Sequence, residues 1–161
     1  MGTPHIERAR PDDAQEVLGL LARNHLPLDG LLDHLATTLV VRQNGQIIGS
    51  AALEVYPDGA LLRSVAVAPE AQGRGLGHQL TAAAIRMAEA LNVPAIYLLT
   101  TTAERYFPKF GFERIARTDV PAAVQTSVEF TSACPSSAAV MRKPLSKYPR
   151  GTTTRSATSI E

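Results

Sequence analysis

The sequence holds one cysteine, almost no net charge and no long apolar run. With Cys134 alone, an internal disulfide is excluded and a reducing compartment fits. The residue reads as a small buried or half-buried side chain. The net charge is +1 and no segment carries a dense stripe of lysine and arginine. Nucleic acid and anionic membranes therefore drop out as general partners, because binding them rests on clustered cations that displace counterions. No apolar run approaches the roughly 20 residues of a membrane span. The opening "MGTPHIERARPDDA" lacks the apolar core of a signal peptide, so a cytoplasmic chain is expected. Internal repeats are missing, as are the G-x-G-x-x-G dinucleotide fingerprint and the G-x-x-x-x-G-K-S/T phosphate loop.

What is present suits one domain: 161 residues, 45% apolar and 19% charged, are enough to bury a core. "HIERAR" reads as an edge strand. Pro11, Asp12 and Asp13 then open a helix with Ala14, Val17, Leu18 and Leu21 at helical spacing. A shorter helix is expected over Leu28 to Ala36. "TLVVRQ" and "QIIGSAALEV" form two strands joined at Asn44 and Gly45, a strong hairpin signal. Pro57, Asp58 and Gly59 turn the chain into "ALLRSVAVA", a fourth strand so apolar that both faces should be covered. A helix follows with Leu80, Ala84, Met87 and Leu91 on its apolar face, then the buried strand "AIYLLT". A short helix in "TAERYFPKF", a strand "FERIAR", a helix or loop around "VPAAVQTSVEF" and a last strand near "AAVMRKP" complete a mixed sheet. The domain is placed at 1–145. The stretch 146–161, rich in Ser, Thr and basic residues, is expected to be a disordered tail.

Between the fourth strand and its helix lies "QGRGLG". At a helix start several backbone N–H groups lack intrahelical partners and the helix dipole adds partial positive charge, so backbone alone can hold an anion. Glycines let a phosphate approach closely, and Arg74 adds a side-chain partner for a diphosphate.

"VAVAPEAQGRGLG" resembles the Gln/Arg-x-x-Gly-x-Gly/Ala motif of the GCN5-related N-acetyltransferase (GNAT) superfamily, together with its preceding strand. "AERYFPKFGF" is similar to the second signature, where a tyrosine-bearing helix runs into Gly-Phe before a strand. The resemblance spans 5–145 and implies a mixed α+β fold, with a mostly antiparallel sheet splayed between strands four and five and flanked by helices. It implies acetyl coenzyme A as co-substrate and no metal. The pyrophosphate would lie on the turn formed by Gln72, Gly73, Arg74, Gly75, Leu76 and Gly77, with His78 beginning the helix. The pantetheine arm would pair with Val65, Ala66 and Val67 in the splay.

Acetyl transfer needs a neutral amine, and an α-amino group of pKa about 8 is mostly protonated at neutral pH. A base or water relay must take that proton, an N–H near Val65 would stabilise the oxyanion as in the family, and the departing thiolate needs a proton. Many relatives use a tyrosine four residues before the signature glycine. Here that position, counted from Gly111, is Phe107, and Tyr106 beside it becomes the candidate acid. The usual fourth-strand glutamate is also absent. Glu54 on strand three is the nearest carboxylate, expected opposite Leu61, Leu62 or Arg63. Two readings of Glu54 stand: base or ligand for the acceptor amine, or structural ion pair with Arg63. Arg63 offers a planar fork suited to a substrate anion. Ser64 beside it could add a hydroxyl, although strand alternation sends it to the other face.

"IYLLTTTAERYFPKFGF" is similar to N-acetylglutamate synthase-like acetyltransferases. "VPAAVQTSVEFTSACPSSAAVM" resembles the small acetyltransferases of arsenic resistance that acetylate arsinothricin. These likenesses imply an anionic amino acid as acceptor: arsinothricin, a glutamate analogue, first, and its phosphorus counterpart phosphinothricin beside it. Glutamate or another ordinary amino acid is the alternative acceptor, and a non-catalytic coenzyme A-binding regulatory module the alternative role. Arg8, Arg42, Arg105 and Lys109 are secondary anion ligands. Oligomeric state stays open, with a two-fold homodimer the default for a small enzyme.

Overall fold

Asn44 and Gly45 take left-handed φ values of 54° and 78°, the geometry that lets a two-residue turn join twisted antiparallel strands. They connect β2 (Thr38–Gln43) to β3 (Gln46–Tyr56), and Pro57 and Asp58 turn β3 into β4 (Gly59–Val67). β1 (His5–Arg8) pairs outside β2. β5 (Ala95–Thr100), β6 (Glu113–Ile115) and β7 (Ala139–Pro144) follow, giving one sheet ordered β1-β2-β3-β4-β5-β7-β6. The β4–β5 pairing is parallel and the others are antiparallel. The computed structural model describes residues 3–133 and 135–145. Cys134 and the expected tail at 146–161 lie outside the described residues.

Alternation along β4 divides the interior. Leu62 packs with Val17, Leu20 and Leu21 of α1 (Ala14–Arg23) and with Leu80 and Ala84 of α2 (Leu76–Ala90). Leu61 points the other way, into a smaller cluster with Tyr97, Val120, Val124 and Val140. The irregular stretch 116–133 therefore covers the second face, and Asp58 anchors it by accepting the Ala123 N–H at 2.9 Å.

One irregularity in β4 shapes everything that follows. Ser50 pairs with Ala66 but Ala52 with Arg63, so Ser64 and Val65 together face the single residue Ala51. Ser64 sits at φ 61° and its carbonyl accepts the Ser50 hydroxyl at 2.7 Å. Such a bulge bends the strand and increases its twist. The ladder to β5 is accordingly confined to Ala60 with Ile96 and Leu61 with Tyr97, and beyond it the two strands part.

Several expected elements differ. The helix over Leu28 to Ala36 is a 3-10 segment, Leu31–Thr37, entered through Gly30 at φ 77° and broken at His34. Leu91, expected on the apolar face of α2, is its C-cap and 40% exposed, because the helix stops one residue earlier. The helix in "TAERYFPKF" is a 3-10 turn, Phe107–Phe110, with Pro108 in its first turn and Gly111 at φ 95° closing it. Around "VPAAVQTSVEF" the chain makes a 3-10 turn at Val124–Thr126 and a π-helical turn at Glu129–Ala133. Among the described residues, no helix is long and apolar enough to cross a membrane.

Candidate functional site

The turn before α2 is built from two left-handed glycines, Gly73 at φ 86° and Gly75 at φ 78°, with Gly75 as N-cap. The first bond of the helix runs from the Gln79 N–H to the Gly75 carbonyl at 3.1 Å, so the amides of Leu76, Gly77 and His78 precede it. A Cβ on Gly73 or Gly75 would meet nothing within 4 Å, which leaves the backbone open to an approaching anion. Gln72 and Arg74 are exposed. The Gln72 side-chain amide donates to the Val67 carbonyl at 3.0 Å, and Arg74 reaches Gln43 at 3.2 Å. These residues fit the phosphates expected from the sequence motif. His78 stacks near Phe110, ring centroids 4.8 Å apart.

A cavity of about 550 Å³ opens between the parted strands β4 and β5. At one end it is lined by Val67, Gln72 and Gly77, and along its middle by Val65, Ala66 and Thr100. Tyr106 and Phe107 both belong to its wall. The Tyr106 hydroxyl lies 3.8 Å from where a Cβ on Gly77 would stand, so it points at the start of α2. Phe107 is buried edge-on against Phe112, centroids 5.7 Å apart. Of the two neighbours, the tyrosine carries a polar tip at the mouth of the splay and the phenylalanine anchors the turn.

The far end holds the charged groups. Glu54 lies opposite Leu61, and the diagonal neighbour on the same face is Arg63. Their side chains form an ion pair of 2.9 Å at 1% exposure each. Tyr56 donates to Glu54 at 2.5 Å, and His34 Nε2 is 3.8 Å away. Burial works against the Glu54 charge, but hydrogen bonds from Ser127, Tyr56 and Arg63 outweigh it and hold the carboxyl below its ordinary range. Burial, and then the bond to Glu54, pushes the Tyr56 phenol up to about 12. Arg63 lines the cavity and Glu54 does not. A carboxylate so placed and so weakly basic favours the ion-pair reading over proton abstraction.

The structure revises two expectations. Ser64 was expected on the face opposite Arg63, but its left-handed φ in the bulge breaks alternation, so the Arg63 Nε donates to its hydroxyl at 3.1 Å. The Arg63 fork was expected to face a substrate, yet every one of its nitrogens is bonded within the protein. Nη1 donates to the Asp29 carbonyl at 2.6 Å as well as to Glu54, and Nη2 donates to the Pro27 carbonyl at 3.1 Å. The Arg63 Nε also lies 3.3 Å from a second carboxylate, Glu129, which lines the cavity. Sequence reasoning passed over Glu129, 66 positions from Arg63 in a stretch without periodicity; its one signal was a lone acid in an otherwise uncharged run.

The secondary candidates are elsewhere. Arg42 is bound to Glu7 and to Asp13, at 2.5 and 2.8 Å, and Arg8 donates to the Ala36 carbonyl at 3.2 Å. Arg105 is exposed, and Lys109 lies over the Tyr106 ring at 4.4 Å from its centroid. Among the described residues, no cluster of three His, Cys, Asp or Glu side chains could hold a metal ion.

Comparison with known proteins places this geometry. Residues 34–114 match the acetyltransferase (GNAT) domain family. An amino-acid acetyltransferase of Neisseria meningitidis is 27% identical over 121 residues, 73% of this chain and 27% of that protein. One from Mycobacterium tuberculosis is 35% identical over 81 residues, 50% of this chain and 46% of that protein. This chain thus spans well under two thirds of the length of these relatives. N-acetylglutamate synthase from Neisseria gonorrhoeae, solved with coenzyme A and N-acetyl-glutamate, superposes with a TM-score of 0.76 at 21% identity, over 91% of this chain and 36% of that one. A Mycobacterium tuberculosis protein solved with coenzyme A gives 0.74 at 24% identity, over 88% and 99%. The glycine turn that opens α2 and the strand that bulges away from β5 both lie within the matched stretch, and the chain belongs to the GNAT acetyltransferase family.

Proposed function

We propose that this chain is an acetyl coenzyme A-dependent N-acetyltransferase that acylates the α-amino group of an anionic amino acid. The observation that carries the reading is the continuous cavity from the amides at the start of α2, through the β4–β5 splay, to Arg63 and Glu129. A diphosphate at one end and an amino acid at the other would share that single space. Support comes from relatives named amino-acid acetyltransferase and from structural neighbours solved with coenzyme A.

In this reading the amides of the turn from Gln72 to His78 hold the diphosphate, and Val65, Ala66 and Val67 present backbone to the pantetheine arm. The bound co-substrate supplies an activated acetyl thioester. Among the described residues, Tyr106 is the phenol on the wall of that passage, and it would protonate the leaving sulfur. Arg63 and Ser64 wall the acceptor end, and Glu54 sets the position of Arg63. With Glu54 a weak base, the amine proton leaves through water.

Among acceptors, arsinothricin is the leading candidate, followed by phosphinothricin and glutamate. The wall also carries Asn24, Thr101 and Thr102, whose amide and hydroxyls suit oxyanions. Thiol release from acetyl coenzyme A across arsinothricin, phosphinothricin, glutamate and ordinary amino acids tests the proposal, with fastest release expected for arsinothricin. Faster release with an ordinary amino acid would reassign the acceptor. Cofactor binding without thiol release for any of them would make the chain a binding module.

A further inference from the structure

The last residues paired in the β4–β5 ladder are Leu61 and Tyr97. Leu62 and Leu98 come next, at the apex where the strands part, and both line the cavity while belonging to the main core. Phe107 lines it too and belongs to the same core. These three side chains are nearly closed to solvent, at 3%, 2% and 7% exposure, so this part of the wall is apolar and sealed. The polar groups of β4 and its turn stand elsewhere along the passage, Gln72 at one end and Arg63 with Ser64 at the other.

The Phe107 ring has little room to withdraw. Its turn is fastened by the Tyr106 N–H to the Ala103 carbonyl and by the Gly111 N–H to the Pro108 carbonyl, both at 2.9 Å. Phe112 meets the ring edge-on, with centroids 5.7 Å apart and planes at 71°. Phe112 is 2% exposed and does not line the cavity, so Phe107 is the layer between that space and the packed interior. Interiors are packed without slack, and extra methylenes pressed against them force neighbours out of place. At its reactive end a thioester brings one apolar group into such a passage, the alkyl part of its acyl chain.

We propose that Phe107 sets the length of the acyl chain the donor can carry: its ring closes the apolar apex, leaving space for an acetyl methyl and none for two further methylenes. This rests on the acetyl coenzyme A reading above. Calorimetric titration of acetyl and butyryl coenzyme A into the full chain tests it without any acceptor. The parent is expected to bind the butyryl thioester at least tenfold more weakly. Phe107→Leu keeps an apolar side chain in the turn but shortens its reach, and should bring the two constants within about threefold. Phe112→Leu loosens the same core without touching the cavity and should keep the parent's ratio. Equal binding of the two thioesters to the parent would overturn the proposal. So would a Phe107→Leu protein that still discriminates tenfold, or a Phe112→Leu protein that loses discrimination as fully as Phe107→Leu. The underlying reading fails by a different sign: a parent that binds neither thioester nor free coenzyme A has no cofactor site, whereas one that binds both thioesters alike loses only the role of Phe107.

Discussion

Arg63 stands on the cavity wall with its side chain 1% exposed, and its charge finds its partners in the fold. Its five interactions join β4 to the loop at 27–29, to β3 through Glu54, and to the 127–133 stretch through Glu129. A lysine would keep the charge but lose the planar fork, and one ammonium cannot point along so many directions. Arg63→Lys is therefore expected to cost on the order of 2 kcal/mol in stability and to raise the acceptor KM, with the coenzyme A constant unchanged. Chemical denaturation alongside steady-state kinetics checks this. A variant as stable as the parent with an impaired acceptor KM would return Arg63 to the role of direct substrate ligand.

At the scale of elements, the proposed cofactor end depends on one turn and the proposed acceptor end on one bulge. Gly75 holds φ 78° as the N-cap of α2, a region where a β-branched residue is strained. Gly75→Val would both force that angle and fill the open space above the amides, so the KM for acetyl coenzyme A should rise at least tenfold. Gly77 lies inside the helix, and a Cβ there would make ordinary contacts at 3.8 and 3.9 Å with Tyr106 and Val67. Gly77→Ala should leave that KM within about threefold and favour the helix slightly. If both variants behaved alike, backbone approach at Gly75 would not be what the turn provides. The turn was legible because glycine, a strand and an apolar helix stand in sequence there. The bulge was not, since nothing in "LLRSVAV" marks Ser64 for a left-handed φ.

For the whole molecule, buried and half-buried carboxylates tie stability to pH. Although burial opposes its charge, Glu54 is held below its ordinary value of 4.5 by the bonds it accepts. A hydrogen bond from Arg42 first of all holds Asp13 below 3.8. A carboxylate whose folded value is lowered stabilises the fold fully above its unfolded value, and that contribution is lost as pH falls toward the folded one. Thermal midpoints should thus hold steady between about pH 5 and 8 and decline below the ordinary value of Glu54. Glu54→Gln should start lower and decline less steeply; an acid limb identical to the parent's would remove Glu54 from the account. Sequence alone determined the strands from β1 to β5, α1 and α2, the Asn44–Gly45 hairpin and the glycine turn before α2, because each is written in local periodicity or in residues with special backbone freedom. Tertiary structure decided which charged groups meet. Arg63 could be seen to need a partner and Glu54 to be near it. That Glu129 joins them, that Ser64 turns inward and that the fork is occupied follow from strand register, a bulge and a loop packed across the sheet, contacts between residues far apart in the chain that no local pattern encodes.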